Sequence, residues 1–386
     1  MPLCLSGLLV FVLMIKYYLG LLKDIQRIET FREAISKSVR SGDVVLDLGA
    51  GLGTFSFFAA KAGAGKVYGI DKKDIVEIAK ELCKINNLQE KVIFYKGYSD
   101  KINLPEKVDL IITEMLWSLF ISKTTMNSIK GAKEKFLKEN GRIMPESVKI
   151  YLAPVSNQKV YNDVVSVNEY GIDFTPARKM MINNFHQKLF KKEDLLSEPK
   201  IVREINLMNI NSDELPIDWR GSFRSLYSGI IHGLAGWMDL KLADDIILSN
   251  SPSSKPTVWE NIFLPIDKPF NVSEGDTIDV ALKTIPFEGD YEWNWDIILQ
   301  EKGESRSHST FKGFPVSKDF FRKKSLDFIP DISPEGEIIK TILELFNGKR
   351  KVRDIAEEIQ KRFPHQFKDI KDALGRVERV IERYSK

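Results

Sequence analysis

The chain has 386 residues, 43% of them hydrophobic and 29% charged, which is the composition of a globular protein too long for one ordinary domain. Lys and Arg total 57 against 54 Asp and Glu, a net charge of +3 spread without a basic face, which argues against a nucleic-acid partner. Two cysteines, Cys4 and Cys83, and four scattered histidines exclude a disulfide framework and give no metal-ligand spacing, so a reducing cytoplasm and no metal are expected.

The chain opens with an apolar run, Leu3 to Ile15, interrupted only by Ser6 and Gly7. At about 13 residues it falls short of the roughly 17–25 that span a bilayer. It has no positive segment before it and no small-residue cleavage site after it. An apolar N-terminal helix within residues 1–24 is expected, buried or covering a cofactor, with membrane contact as the alternative.

Val44 to Leu48 is a short apolar strand, followed by Gly49, Gly51 and Gly53 and by a helix from Thr54 to Ala62. Lys66 to Asp71 is the next strand. Dinucleotide folds favour G-x-G-x-x-G with a pyrophosphate on the helix N-terminus. Here the spacing is G-x-G-x-G with Asp47 upstream, which points to S-adenosylmethionine. Asp47 suits the cofactor's ammonium end, and Asp71, about 20 residues past the loop, suits the ribose hydroxyls.

Val92 to Gly97 and Val108 to Thr113 read as further strands, with helices at Ile75 to Asn86 and Ser122 to Leu137. Alternating strands and helices predict a parallel sheet covered on both faces, with its ligands beyond the carboxyl ends of the strands. Asp71, Ser99, Asp100 and Glu114 should meet in that crevice. After Pro145 the pattern changes to short alternating segments: Val148 to Leu152, Ile201 to Leu207, Trp237 to Leu242, Thr257 to Leu264, Ile278 to Thr284 and Tyr291 to Leu299. These predict a β-barrel or sandwich. From Ser333 onward helical periodicity returns, in three helices that end near Tyr384.

The order Leu22-Lys-Asp24, Arg27, the glycine loop, Asp71, Leu104-Pro-Glu-Lys-Val-Asp109 and Thr113-Glu114 resembles the protein arginine methyltransferases. So do Ile231-His-Gly-Leu-Ala-Gly-Trp237, Leu248-Ser-Asn-Ser-Pro252 and Thr257-Val-Trp259 in the second half. The resemblance implies an α/β fold: a Rossmann-like S-adenosylmethionine domain at 25–145, then a β-barrel at 146–312 carrying a helical arm near 156–189. It also implies a head-to-tail homodimer formed through that arm. By the same resemblance Arg27 pairs with the cofactor carboxylate, Asp71 stands where the family has Glu, and Ser99 with Asp100 holds the adenine. Glu114 matches the first of two glutamates that clamp the substrate arginine, making it the catalytic candidate.

The acceptor side departs from the family. Where the second glutamate belongs stands Lys123, which would repel an arginine if it points inward, or else turns to solvent or pairs with Glu114. The family's Thr-His-Trp reads Thr257-Val258-Trp259, and its early histidine aligns with Tyr18. Trp117, Trp237 and Trp259 are candidate walls of the acceptor pocket, with Glu114, Lys123 and Trp259 as substrate-binding candidates. Residues 313–386, around Leu-Phe-Asn-Gly-Lys-Arg-Lys-Val-Arg-Asp-Ile-Ala, resemble the PqqD-like small domains that bind leader peptides, which implies a winged-helix-like or helical unit recruiting a peptide. The expectation is a cytoplasmic methyltransferase acting on a peptide or protein whose acceptor need not be arginine. The competing readings are a non-catalytic peptide-binding scaffold and a small-molecule methyltransferase.

Overall fold

The computed structural model describes residues 5–115, 122–167, 170–210, 215–315 and 317–385. Residues 13–315 form one compact unit, and the C-terminal residues, grouped with the start of the first helix, form another.

Two helices, α1 (Leu5–Lys23) and α2 (Ile25–Ser38), precede an alternation of strands and helices: β1 (Val44–Leu48), α3 (Thr54–Lys61), β2 (Lys66–Asp71), α4 (Ile75–Ile85), β3 (Val92–Lys96), β4 (Val108–Thr113), α5 (Lys123–Phe136) and β5 (Leu137–Met144). The five strands pair in parallel in the order β3-β2-β1-β4-β5. Every residue of β1 is buried, as befits a central strand covered on both faces. The chain turns from one half of the sheet to the other between β1 and β4. The loops that follow these two strands therefore open side by side into a crevice, the usual ligand site of such sheets.

β6 (Ser147–Val155) leads into α6 (Gln158–Val165) and α7 (Thr175–Ile182), then β7 (His186–Lys188), β8 (Lys200–Asn206), β9 (Asp218–Arg224), β10 (Gly229–Ala243), β11 (Ile246–Ser249), β12 (Asn261–Val272), β13 (Thr277–Phe287), β14 (Asp290–Leu299) and β15 (Glu304–Ser309). They form two antiparallel sheets, β7-β12-β10-β6-β8 with β11 beside β10, and β15-β14-β13-β9. Apolar side chains of both sheets, among them Leu240, Leu264, Val280, Trp295 and Ile297, join the core of the parallel sheet in one continuous cluster. The barrel is thus fastened to the cofactor-type domain by shared core rather than by a linker. The arm helices pack Tyr161, Val164, Val165 and Ile182 onto the outer face of the sheet, against Ala153, Ala235, Trp237 and Phe263. His232 fixes their root: its Nδ1 accepts from the Asn157 amide at 3.1 Å.

Several expectations need correction. β5 was not anticipated, nor were β7, β9, β11 and β15; β5 pairs in parallel with β4 and forms an edge of the sheet. Thr257 to Glu260 is a turn rather than the start of a strand, and β12 begins only at Asn261. Trp237 is buried under the arm, packed with its helices, and is not among the residues of the cleft beside Glu114. Trp117 lies outside the described residues.

The C-terminal unit contains α8 (Lys318–Lys324), α9 (Pro334–Glu344), α10 (Val352–Arg362) and α11 (Ile370–Tyr384). The Ser333 hydroxyl caps α9 by accepting from the Gly336 amide, and Pro334 fills the first turn where its missing N–H costs nothing. Ile338, Ile342, Ile355, Ile359, Val377 and Val380 face one another as a small core. No strand occurs among the described residues of this unit, so the winged-helix-like part of the expectation is corrected to an all-helical bundle.

Ile342 is fully buried in that core. Ile342→Ala is expected to destabilise the bundle by about 2–5 kcal/mol. Amide hydrogen exchange should accelerate across α9–α11 while the amides of β1 and β4 keep their protection.

Candidate functional site

The glycine loop leaves β1 through backbone conformations that only glycine adopts easily, with φ of +83° at Gly49, +53° at Gly51 and +79° at Gly53. A Cβ on Gly51 would stand 2.7 Å from the Tyr18 ring, and one on Gly49 2.6 Å from Met115. The loop is therefore bare backbone with α1 above it and the end of β4 beside it. Asp71, at the end of β2, accepts from the Gly51 amide at 3.0 Å through one carboxylate oxygen and from the Lys73 amide at 2.9 Å through the other. It is held rigidly at the lip of the crevice, where an acid could meet vicinal hydroxyls. Ser99 and Asp100 follow β3 at the same end of the sheet, with Asp100 exposed and Lys135 gripping both carbonyls.

Asp47, the candidate for the cofactor's ammonium end, is held by α3 through one of its oxygens. It is buried, and its Oδ2 accepts from the Ser56 amide at 2.9 Å and the Ser56 hydroxyl at 2.6 Å. Burial pushes its carboxyl up to about 6, and the two Ser56 donors pull it part of the way back.

Arg27, on the first turn of α2, is the deepest cation of the crevice. Its side chain is 4% exposed, and its Nη1 donates to Oε2 of Glu114 at 2.8 Å, Glu114 itself being 13% exposed. Nη2 donates to the Leu21 carbonyl at 3.0 Å, and the guanidinium lies 5.6 Å from the Phe55 ring centroid. Nε is buried with no partner, so one donor remains for an incoming carboxylate. That orphaned donor, the side-chain-free backbone of the glycine loop and Asp71 together fit an S-adenosylmethionine carrying a carboxylate at one end and a ribose at the other.

Asp24 locks this arrangement. Its Oδ1 caps α2 by accepting from the Arg27 amide at 2.9 Å, while its Oδ2 accepts from the Val258 amide at 2.9 Å. One carboxylate thereby sets the start of the helix bearing Arg27 and the barrel turn Thr257-Val258-Trp259. Sequence reasoning gave Asp24 no such task, because its second partner lies 234 residues away.

Glu114, Met115, Val258 and Trp259 line a cleft of about 550 Å³ with Lys16, Tyr17, Leu21 and Gln187. The Trp259 indole donates to the Glu114 carboxylate, and the Gln187 amide braces the Trp259 carbonyl at 3.1 Å. Burial drives the Glu114 carboxyl up to about 7, against the downward pull of Arg27 and then of Trp259. Tyr18 lies nearly buried over the loop; burial first, then Asp71, raises its phenol above the ordinary value. Lys16, Tyr17, Leu21 and Gln187 were missed by sequence reasoning. For the three on α1 a signal existed: residues 16, 17, 20 and 21 share one helical face. Lys123, counted as a substrate residue, is half-buried at the first position of α5 and is not among the cleft-lining residues. Among the described residues no cluster of three or more His, Cys, Asp or Glu could hold a metal.

Comparison with known proteins agrees with this geometry. Residues 146–300 match the arginine methyltransferase oligomerization subdomain, and residues 39–193 match a methyltransferase domain. The chain is similar to "Probable protein arginine N-methyltransferase 6" of Arabidopsis thaliana, 30% identical over 305 residues that cover 67% of this chain and 70% of the relative. It is also 30% identical to "Histone-arginine methyltransferase CARMER" of Drosophila persimilis, over 78% of this chain but only 59% of the relative's length. Among solved structures, the "Trypanosoma brucei PRMT1 enzyme-prozyme heterotetrameric complex with AdoHcy" superposes with a TM-score of 0.70 at 21% identity, covering 76% of this chain and 96% of that one, a likeness of fold.

Because the folded-state value of Glu114 is raised from 4.5 to about 7, folding disfavours its charged form. The stability it contributes is complete below about pH 4.5, where folded and unfolded states are both protonated. It is lost progressively as the pH rises to about 7, by an amount on the order of 3 kcal/mol. Over that window the parent is expected to lose stability relative to Glu114→Gln in urea unfolding, and parallel pH curves for the two proteins would contradict the assignment.

Proposed function

The chain belongs to the protein arginine N-methyltransferase family and is an S-adenosylmethionine-dependent methyltransferase; from that premise we propose that it methylates a peptide or protein side chain other than arginine. The observation that carries this reading is Glu114, the one carboxylate among the described residues that line the cleft, already shared between Arg27 and Trp259. A guanidinium is always charged and presents a planar fork of donors, which two carboxylates can grip. In the family that grip comes from one loop, yet from Glu114 to Glu134 this sequence contains no other acid, and Lys123 holds the place of the second glutamate.

Arg27 would hold the cofactor's carboxylate through its unpartnered Nε, the bare backbone of Gly49, Gly51 and Gly53 would admit its body, and Asp71 its ribose, with Ser99 and Asp100 beside the adenine. The bound cofactor supplies a methyl group on a sulfonium. The protein's task is then to aim a nucleophile along the line of that bond, because positioning at about 3–3.5 Å accounts for most of the acceleration in such displacements. Glu114 orients the acceptor and receives its proton, and Trp259 and Gln187 keep the carboxylate from turning away. Loss of the family's histidine at Val258 leaves Glu114 as the proton acceptor of this cleft.

The arm formed by α6 and α7 is the proposed contact of a homodimer, since it is built on the matched oligomerization subdomain and exposes Tyr170, Ile172 and Met181. The C-terminal bundle is proposed to dock the substrate peptide and so raise its local concentration at the cleft. A cytoplasmic location is proposed, with membrane contact through the apolar N-terminus as the second reading of that segment. Among the described residues no helix is long and apolar enough to cross a membrane.

Glu114→Gln keeps an acceptor for Arg27 but cannot take a proton. It is expected to lower methyl transfer to peptides by about 100-fold or more, with the affinity for S-adenosylhomocysteine, measured by calorimetry, changed less than about threefold. Transfer at the parent rate would move the acceptor site elsewhere.

A further inference from the structure

On the acceptor side of the cleft, three consecutive residues have their peptide groups gripped by side chains from distant parts of the chain. Asp24, the cap of α2, accepts from the Val258 amide at 2.9 Å, and Gln187, on β7, donates to the Trp259 carbonyl at 3.1 Å. The third grip belongs to Asn250, which follows β11 and donates through Nδ2 to the Glu260 carbonyl. Gln187 lines the cleft, whereas Asn250 is 4% exposed and is not among the cleft-lining residues. Whatever Asn250 does for the acceptor, it does through Glu260.

Glu260 is the residue on which the chain leaves the turn, its amide donating to the Thr257 carbonyl at 3.1 Å. Its φ is +50°, a left-handed conformation that a residue with a Cβ adopts rarely and keeps only where its surroundings fix it. From the next residue on, β12 is committed: Asn261 pairs with Lys188 of β7, and Ile262 with Gly236 of β10. A rotation at Glu260 therefore cannot move the strand. It swings the turn instead, and with it the Trp259 indole that donates to Glu114.

Asn250 is itself held in a way that leaves it one orientation. Its Oδ1 accepts from the Met238 amide at 2.8 Å, and its own amide donates to the Met238 carbonyl at 3.3 Å. With an N–H on one side and a carbonyl on the other, the carboxamide must turn its oxygen to β10 and its nitrogen to Glu260. Asn261, 2% exposed, backs it: its Nδ2 donates to the Asn250 carbonyl, and its Oδ1 accepts from the Phe190 amide at 3.0 Å. Two uncharged side chains thus carry the position of β10, and of the segment after β7, to the exit of the turn.

We propose that Asn250 is the positioning residue of the acceptor turn: by holding the Glu260 carbonyl it keeps the left-handed step that lays the Trp259 indole on Glu114. For what the turn serves, this rests on the reading of Glu114 given above as the group that orients the acceptor; the hold itself does not. The indole fills one acceptor site of Glu114 and favours its charged form. A turn that slips leaves the carboxyl free to rotate and to keep its proton to higher pH.

The test reads the Trp259 indole N–H by nuclear magnetic resonance of the full chain carrying isotope-labelled tryptophan, the resonance being identified by its loss in Trp259→Phe. In the parent it is expected to titrate with Glu114 near pH 7. Asn250→Ala is expected to displace it and to raise its midpoint, while the indoles of the other tryptophans keep their positions. Methyl transfer from labelled S-adenosylmethionine to a degenerate peptide pool should fall about tenfold, with the affinity for S-adenosylhomocysteine changed less than about threefold. Adding Glu260→Gly, whose backbone takes a positive φ freely, should return the resonance to its place and transfer to within about threefold of the parent. Glu260→Val makes the left-handed step costlier without touching Asn250 and should displace the same resonance; if Asn250→Ala does not fold, this variant decides. A Trp259 resonance unmoved in Asn250→Ala or in Glu260→Val, or a displacement that Glu260→Gly does not reverse, overturns the assignment. Displacement and reversal with transfer unchanged throughout leaves the hold of Asn250 standing and overturns the acceptor reading of Glu114.

Discussion

A carboxylate taken out of water is expensive, and this cleft keeps one, Glu114, by placing a buried guanidinium against it. Neither partner is tolerable alone, since removing one member of a buried pair leaves an uncompensated charge at a cost of about 3–5 kcal/mol. The pair also determines where the rest must stand. Arg27 comes from the first turn of α2 and Glu114 from the end of β4, so their contact fixes the N-terminal helices over the crevice of the parallel sheet. Arg27 reaches Glu114 through Nη1 and Leu21 through Nη2, and its Nε is left buried without a partner. A single residue thereby couples the groups that would hold the methyl donor to the group that would aim the acceptor.

Asp24 plays the same part for the barrel. Helix caps are usually local devices, satisfying amides a few residues downstream. Here one oxygen does that, and the other fastens Val258, so the turn that carries Trp259 is indexed to the helix that carries Arg27. The continuous apolar core beneath both domains supplies the bulk of the stabilisation, and these few polar contacts supply the register. Such a division is common in enzymes whose cleft lies between elements distant in sequence: burial is tolerant of small shifts, whereas hydrogen bonds about 3 Å long are not.

The parts of this site that were legible in the sequence are those with a local cause. Three glycines at alternate positions, an acid after the second strand and an acid after the fourth each obey a rule of strand ends and tight turns, and the structure brings their loops to one end of one sheet. Asp47 obeys the same pattern, and what the spacing does not reveal is that Ser56 holds one of its carboxylate oxygens. β5 was hidden because its middle is Lys138, Glu139 and Asn140, residues that an edge strand can turn to water. Trp237 and Trp259 looked alike as aromatic residues of one barrel. Only the arm helices, lying on one face of the sheet, decided that the first is packing and the second is cleft. Lys123 shows the converse: a substitution read from position alone carried more weight than its place at the start of α5 supports, while Lys16, which lines the cleft, carried none.

The bond between Asp24 and the Val258 amide has a consequence for how the molecule comes into being. The two residues are 234 positions apart. At a synthesis rate of about 5–20 residues per second, the helix bearing Arg27 waits roughly 10–50 seconds for the turn that completes its anchorage. Throughout that interval the parallel sheet can already have formed, and α1, with its exposed leucines, has nothing from the barrel to rest against. The groups that would hold the methyl donor all precede residue 115, whereas the acceptor side of the cleft is complete only once Trp259 has left the ribosome.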